Sequence, residues 1–596
     1  MNGFLKKEMI TALLIIAFSA FSACRKPEPA TKKIPEPQPP TREAEQTEEK
    51  SMEEKTKEKA KAFLDKYFEK AALLEKEQAM AYWKAANSGK KEDFAVYEKA
   101  ELKLKKLRSD PKSFSTIEDL LKKKDLLDEL TKRSLEVAYI SFKGNQLPDD
   151  ILGELVKEST EIGRTFSTFR GKIGKKEYSN NELLEMLQKA KRTKRRREIW
   201  MALKQVGDAV GPKIMALAKT RNEAAKKLGY SNYWEMKIRH QEHDPEQIMS
   251  LFDELEKLTR KPFEDMKAKM DKELARKFRL SPSKLMPWHY DNPFFQSPPP
   301  SSKIDPDIFF KDKSKEEIVA ISKRFFADID LPIEDILERS DLYERKGKDQ
   351  HAFCIAIDRE GDVRILVNIK PTAQWMGTQL HELGHALYYK YMDFNLPYNL
   401  RDVAHILTTE GVAMLFGALA LHPDWLKTYT KADPKKVKKI TPHILEQRRR
   451  EQLIFTRWTL VMLHFEKALY ENPSISAEAL NKLWWDMVEK YQNLNRPKGR
   501  NASDWAAKPH FTIAPVYYHN YMMGELYAAQ LRAALSKKGG EQEDQNEATK
   551  INFNKELGAY MKEKVFEPSR KMQWPDFVES STGAPLSAKF FAAELK

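Results

Sequence analysis

Two cysteines in 596 residues, Cys24 and Cys354, are too few and too far apart for a disulfide framework or a cysteine metal site. Glycine is also scarce, with 22 in the whole chain, while 32% of the residues are charged. That balance disfavours an architecture of many short strands and turns and favours helices. No internal repeat is evident, which removes solenoids and propellers. Nor is the charge of one sign, since 104 basic residues face 89 acidic ones for a net +15. The densest basic run, KRTKRRREIW at 191–200, sits where apolar residues recur at helical spacing, so its charges are read as one solvated helix face. No nucleic-acid module accompanies it, and nucleic acid is not an expected partner.

What the chain does contain is almost continuous helical patterning from Lys55 onward, predicting a mainly α protein with one large body over 55–596. The segment 281–306, dense in proline and aromatics, reads as a structured loop whose large apolar groups need burial. One convincing β signal occurs at 351–369, where two β-rich runs flank DREGD and predict a hairpin.

The N-terminus has Lys6 and Lys7, then an apolar run from Met9 to Ala23. At about 1.5 Å per residue this run is too short to span a bilayer core of about 30 Å, so 1–23 reads as a signal peptide. It ends in FSAC, which resembles the lipobox of bacterial lipoproteins and marks Cys24 for acylation, although Phe21 stands where leucine is usual. Residues 24–54, rich in Pro, Glu and Lys, predict an extended tether. A lipid anchor on a leash implies a body held at a membrane of the bacterial cell envelope.

The chemistry centres on QLHELGHALYY at 379–389. His381 and His385, four apart, share one helix face and can bind one Zn²⁺ through imidazole nitrogens, with Glu382 beside the metal. Tyr388 and Tyr391 exclude the metzincin spacing, and His405 lies in the wrong context for a thermolysin-like ligand. Glu410, 25 residues after His385, begins a second helical pattern with Thr409 as a candidate cap. A carboxylate there is commonly no more than a helix-terminal charge. Next to HELGH it reads as a third ligand.

At this point the chain resembles the angiotensin-converting enzyme family of zinc peptidyl-dipeptidases. The resemblance is carried by HELGHALYYKYMDFNLPYNLRD with TTEG, LWWDMVEKYQNL at 483–494, KPHFTIAPVYYHNY at 508–521 and QHAFCIAID before the metal helix. It implies a large helical ellipsoid with two halves around a deep cleft, a small β-hairpin at the active site and one zinc per chain. It implies that Glu382 takes a proton from the attacking water, while His510 and Tyr521 hydrogen-bond the developing oxyanion. Lys508 and Tyr518 would hold a substrate's terminal carboxylate, and His351, Ala352 and Cys354 would line the peptide backbone. The bland reading of the same tyrosines is a core aromatic face, and of Lys508 a surface charge.

Departures from that pattern are specific. His510 and Tyr521 are one residue further apart than the family places them, and we read Tyr518–Tyr521, not Tyr517, as the tyrosine pair. Asn520 and Val488 stand where the family has chloride-binding arginines, so chloride is not an expected cofactor. The carboxylate-gripping glutamine is expected near PWHYDNP, where Trp288, His289 and Tyr290 stand instead. Met414 replaces an acidic residue beside the zinc site, with Asp402 as a possible substitute. The expected activity is release of C-terminal dipeptides from oligopeptides. Oligoendopeptidase cleavage and a non-catalytic peptide-binding lipoprotein are the alternatives.

Overall fold

The computed structural model of the protein describes residues 42–299, 305–537 and 552–595. The expected signal peptide and Cys24 lie outside the described residues. A compact body comprises Lys55–Lys596. Residues 42–54, expected to be an extended tether, are instead helical, as part of helix Arg42–Ser88. The reason is local: prolines stop at Pro40, and the Arg, Glu, Ala, Gln and Lys that follow are strong helix formers.

The described residues are mainly α, with two small antiparallel strand pairs. The first pair, β1 (Gly171–Ile173) and β2 (Lys176–Tyr178), escapes sequence patterning because its strands are three residues long and mostly polar. Gly174, at φ +61°, makes its turn. The second pair, β3 (Phe353–Ala356) and β4 (Val363–Leu366), is the hairpin read from the sequence, with Cys354 opposite Ile365. Asp341 bridges to Leu366 on the far side of β4, which leaves β3 as an edge strand among the described residues.

The helix bearing HELGH spans Ala373–Lys390. The Thr372 side chain caps it, accepting from the Trp375 amide at 3.2 Å. Met376, Leu380, Leu383 and Leu387, at four- and three-residue spacing, are fully buried and turn the helix's other face to the site. The next helix, Ile406–Gly417, is capped by the His405 ring, which accepts from the Leu407 amide at 3.1 Å, and not by Thr409. Thr409 lies within the helix, where its hydroxyl is free for another partner.

These two helices approach closely because glycine stands at their contact. A Cβ on Gly384 would lie 2.9 Å from the Ala413 Cα. Helix Tyr518–Lys537 packs on the other side in the same way, since a Cβ on Gly411 would meet the Tyr527 ring at 2.5 Å and the Gly524 carbonyl at 3.0 Å.

In the described part of the 281–306 segment, Trp288, Tyr290 and Phe295 are buried. The basic run is largely solvated as read, with one exception. Arg196, on helix Thr193–Lys227, is fully buried, donating to the Trp288 carbonyl at 2.6 Å and the Leu187 carbonyl at 2.7 Å and pairing with Asp291. This guanidinium helps to fasten the loop, together with Trp200, Gln492 and Asn495, which donate to other loop carbonyls.

Replacing Gly384 by valine should destabilise the protein by ~1–3 kcal/mol in a urea titration, because the Cβ alone already presses on the Ala413 backbone. Parent-like stability of Gly384→Val would contradict the close approach.

Candidate active site

The close packing brings together side chains that are distant in sequence. The ligand atoms of His381, His385 and Glu410 all lie within 4.8 Å of one another. His381 Nε2 is 3.8 Å from Glu410 Oε2, and the two imidazoles stand edge to face, 4.9 Å apart. The Glu410 helix also orients both rings. His385 Nδ1 lies 2.6 Å from the Thr409 hydroxyl, and the His381 ring hydrogen-bonds the Ala413 backbone. Asp402, the sequence-based candidate for such a role, pairs instead with Arg359 at 3.1 Å.

Burial sets the protonation. It lowers His381 to about 4, and together with the neighbouring His381 ring it lowers His385 to about 3, so both are neutral near pH 7. Burial, then the nearby Glu410, raises Glu382 to about 8, and burial, then Glu525, raises Glu410 to about 7. Two neutral imidazoles with their second nitrogens engaged, and a carboxyl with no cationic side chain to pair with, suit a divalent cation such as zinc. The residues present therefore fit the metal.

A cavity of about 1140 Å³ opens onto this group, with His351, Ala352, His381, Glu382 and Tyr521 on its wall. Tyr521 sits near the Glu410 carboxylate, which together with burial raises its phenol above the ordinary range, so it remains a proton-bearing donor. Cys354 is held in β3 with its thiol raised well above normal by burial and by Glu382, which makes it a strand residue and not a nucleophile.

The tyrosine-rich segment divides into two registers. Tyr518 packs on His510 at 4.9 Å and on Tyr521 at 5.5 Å, and its ring lies 5.4 Å from Lys508 Nζ. Tyr517 also touches Tyr521, at 5.1 Å, and burial, then Glu410, raises its phenol. Asn520 is fully buried and hydrogen-bonded to Gln241 and His243. His510 is lowered to about 4, by burial and then Lys508, and is neutral near pH 7.

Lys508 supplies the residue that sequence reasoning missed. Its Nζ donates to Gln296 Oε1 at 2.8 Å, and burial lowers it to about 8. Gln296, on the cavity wall, is six residues beyond Tyr290, outside the stretch where the glutamine was sought. The available signal was that it is the only glutamine of the 281–306 loop, directly after the anchoring pair Phe294–Phe295.

The family model described as angiotensin-converting enzyme matches residues 54–592. No curated protein matches the chain.

Thr409→Val keeps the shape beside His385 and removes the orienting oxygen. It should weaken zinc affinity ~10–100-fold in competition with a fluorescent chelator. Unchanged affinity would remove Thr409 from the site.

Proposed function

The chain belongs to the angiotensin-converting enzyme family, and on that premise we propose that it is a zinc metallopeptidase releasing dipeptides from the free C-terminus of short peptides. The observation that carries the C-terminal part of this reading is the Lys508–Gln296 pair at 2.8 Å beside Tyr518. A buried ammonium next to an amide and a phenol is built to take a carboxylate, and a peptide's terminal carboxylate is the nearest such group on a substrate. An oligoendopeptidase has no use for that grip.

His381, His385 and Glu410 would hold the zinc, which would supply Lewis-acid polarisation of a carbonyl and acidification of water. Glu382, whose burial makes it hold a proton readily, accepts one from the attacking water and delivers it to the leaving amine. Tyr521 offers its phenolic proton to the oxygen that gains charge, with His510 packed on Tyr518 behind it as a second, neutral donor. β3, with an unpaired edge and His351 and Ala352 on the cavity wall, offers backbone to an extended peptide. Retention of Glu382 and Tyr521 beside a complete ligand set speaks against a purely binding role. We place the enzyme at a bacterial envelope with oligopeptides as partners. The FSAC sequence at Cys24 supports lipid anchorage there, which acyl-group mass spectrometry of the mature N-terminus checks.

Glu382→Gln should keep its zinc by metal analysis and lose ~10²–10⁴-fold in kcat. Lys508→Met should raise KM for peptides with a free C-terminus and leave C-terminally amidated peptides unaffected. Equal effects on both peptide types would contradict dipeptide release.

A further inference from the structure

The cavity continues beyond Tyr521 to a wall that the proposed hydrolysis does not use. It is formed by helix Pro434–Glu471 and the Tyr521 helix. Tyr518 meets Trp458 and Phe455, Met522 meets Thr456, and Glu525 meets Gln452, so the two helices run antiparallel. Arg448, Gln452 and Phe455, at i, i+4 and i+7, share one helix face and all line the cavity, as do Glu451 and Glu525. That face continues to Trp458, which lies 5.4 Å under Lys508 Nζ. One helix face thus joins Arg448 to the carboxylate grip.

The charges on this wall are unequally satisfied. Glu451 accepts from the Gln447 amide at 2.8 Å, Glu525 hydrogen-bonds Gln452, and Arg532 forms a two-point pair with Glu594 at 2.8 Å. Arg448 feels the fields of Arg532, Glu594, Glu525 and Glu451, yet among the described residues it forms no ion pair or hydrogen bond. Arginine cannot shed its proton to relieve this, and its planar fork of donors matches a carboxylate.

We propose that Arg448 is a specificity residue that binds an aspartate or glutamate side chain in the dipeptide leaving from the substrate's C-terminus. The inference rests on the reading of Lys508 as the terminal-carboxylate grip. It makes the preferred substrates peptides with an acidic residue in one of their last two positions.

The test compares kcat/KM on paired peptides with Glu or Gln at the last or next-to-last position, using the full enzyme and Arg448→Gln. The parent should favour Glu by ~10-fold or more at one position, with the ratio falling toward one in Arg448→Gln and partly restored in Arg448→Lys. No preference in the parent, a preference for lysine there, or a preference that survives Arg448→Gln would overturn the proposal. Should Arg448→Gln fail to fold, the parent and Arg448→Lys still decide it. If neither peptide is cleaved, the dipeptidase reading fails. Calorimetric Kd values for the same peptides then judge Arg448, and equal binding of Glu and Gln peptides by the parent overturns it.

Discussion

The site depends on how closely helix Ala373–Lys390 lies against helix Ile406–Gly417. With Gly384 facing Ala413, no side chain separates the backbones, and Glu410 comes within 3.8 Å of His381. The same contact supplies the Thr409 hydroxyl to His385 and the Ala413 backbone to His381, so one packing interaction sets ligand distance and ring orientation together. Glu382, on the same helix, is buried, and burial, then Glu410, raises its affinity for a proton. A modest separation of these helices would loosen all of these features at once.

Electrostatically, the site gathers two carboxyls and two imidazoles with no cationic side chain among them. Desolvation pushes every one of these groups toward its neutral form. A divalent cation reverses the balance for the carboxyls and finds the imidazoles already neutral. Further along the chemistry differs, because Lys508 donates to the Gln296 amide and Arg448 forms no ion pair among the described residues. A group fitted to a metal at one end, with Arg448 on the cavity wall and Lys508 beside Gln296, accords with the proposed short peptide substrate.

The metal ligands were legible because each depends on local pattern. His381 and His385 share a helix face by spacing alone, and Glu410 lies in the next apolar helical pattern. The hairpin was legible through its β-rich runs and its DREGD turn. The rest depended on tertiary placement. Thr409 looks like a cap in sequence, but His405 takes that role and leaves Thr409 to His385. Gln296 sits in an irregular loop without periodicity, so its place beside Lys508 follows only from how Trp288, Tyr290 and Phe295 are buried. Arg196 alone departs from the solvated face read for its run, because Trp288 and Asp291 fold over it. The family match over 54–592 covers the whole of this described machinery.

The most direct test of the account is mass spectrometry of the products from a synthetic decapeptide, offered with a free and with an amidated C-terminus. The account predicts successive loss of dipeptides from the free end only, abolished by a chelator and restored by zinc. Internal cleavage of both peptides, or hydrolysis that continues in chelator, would contradict it.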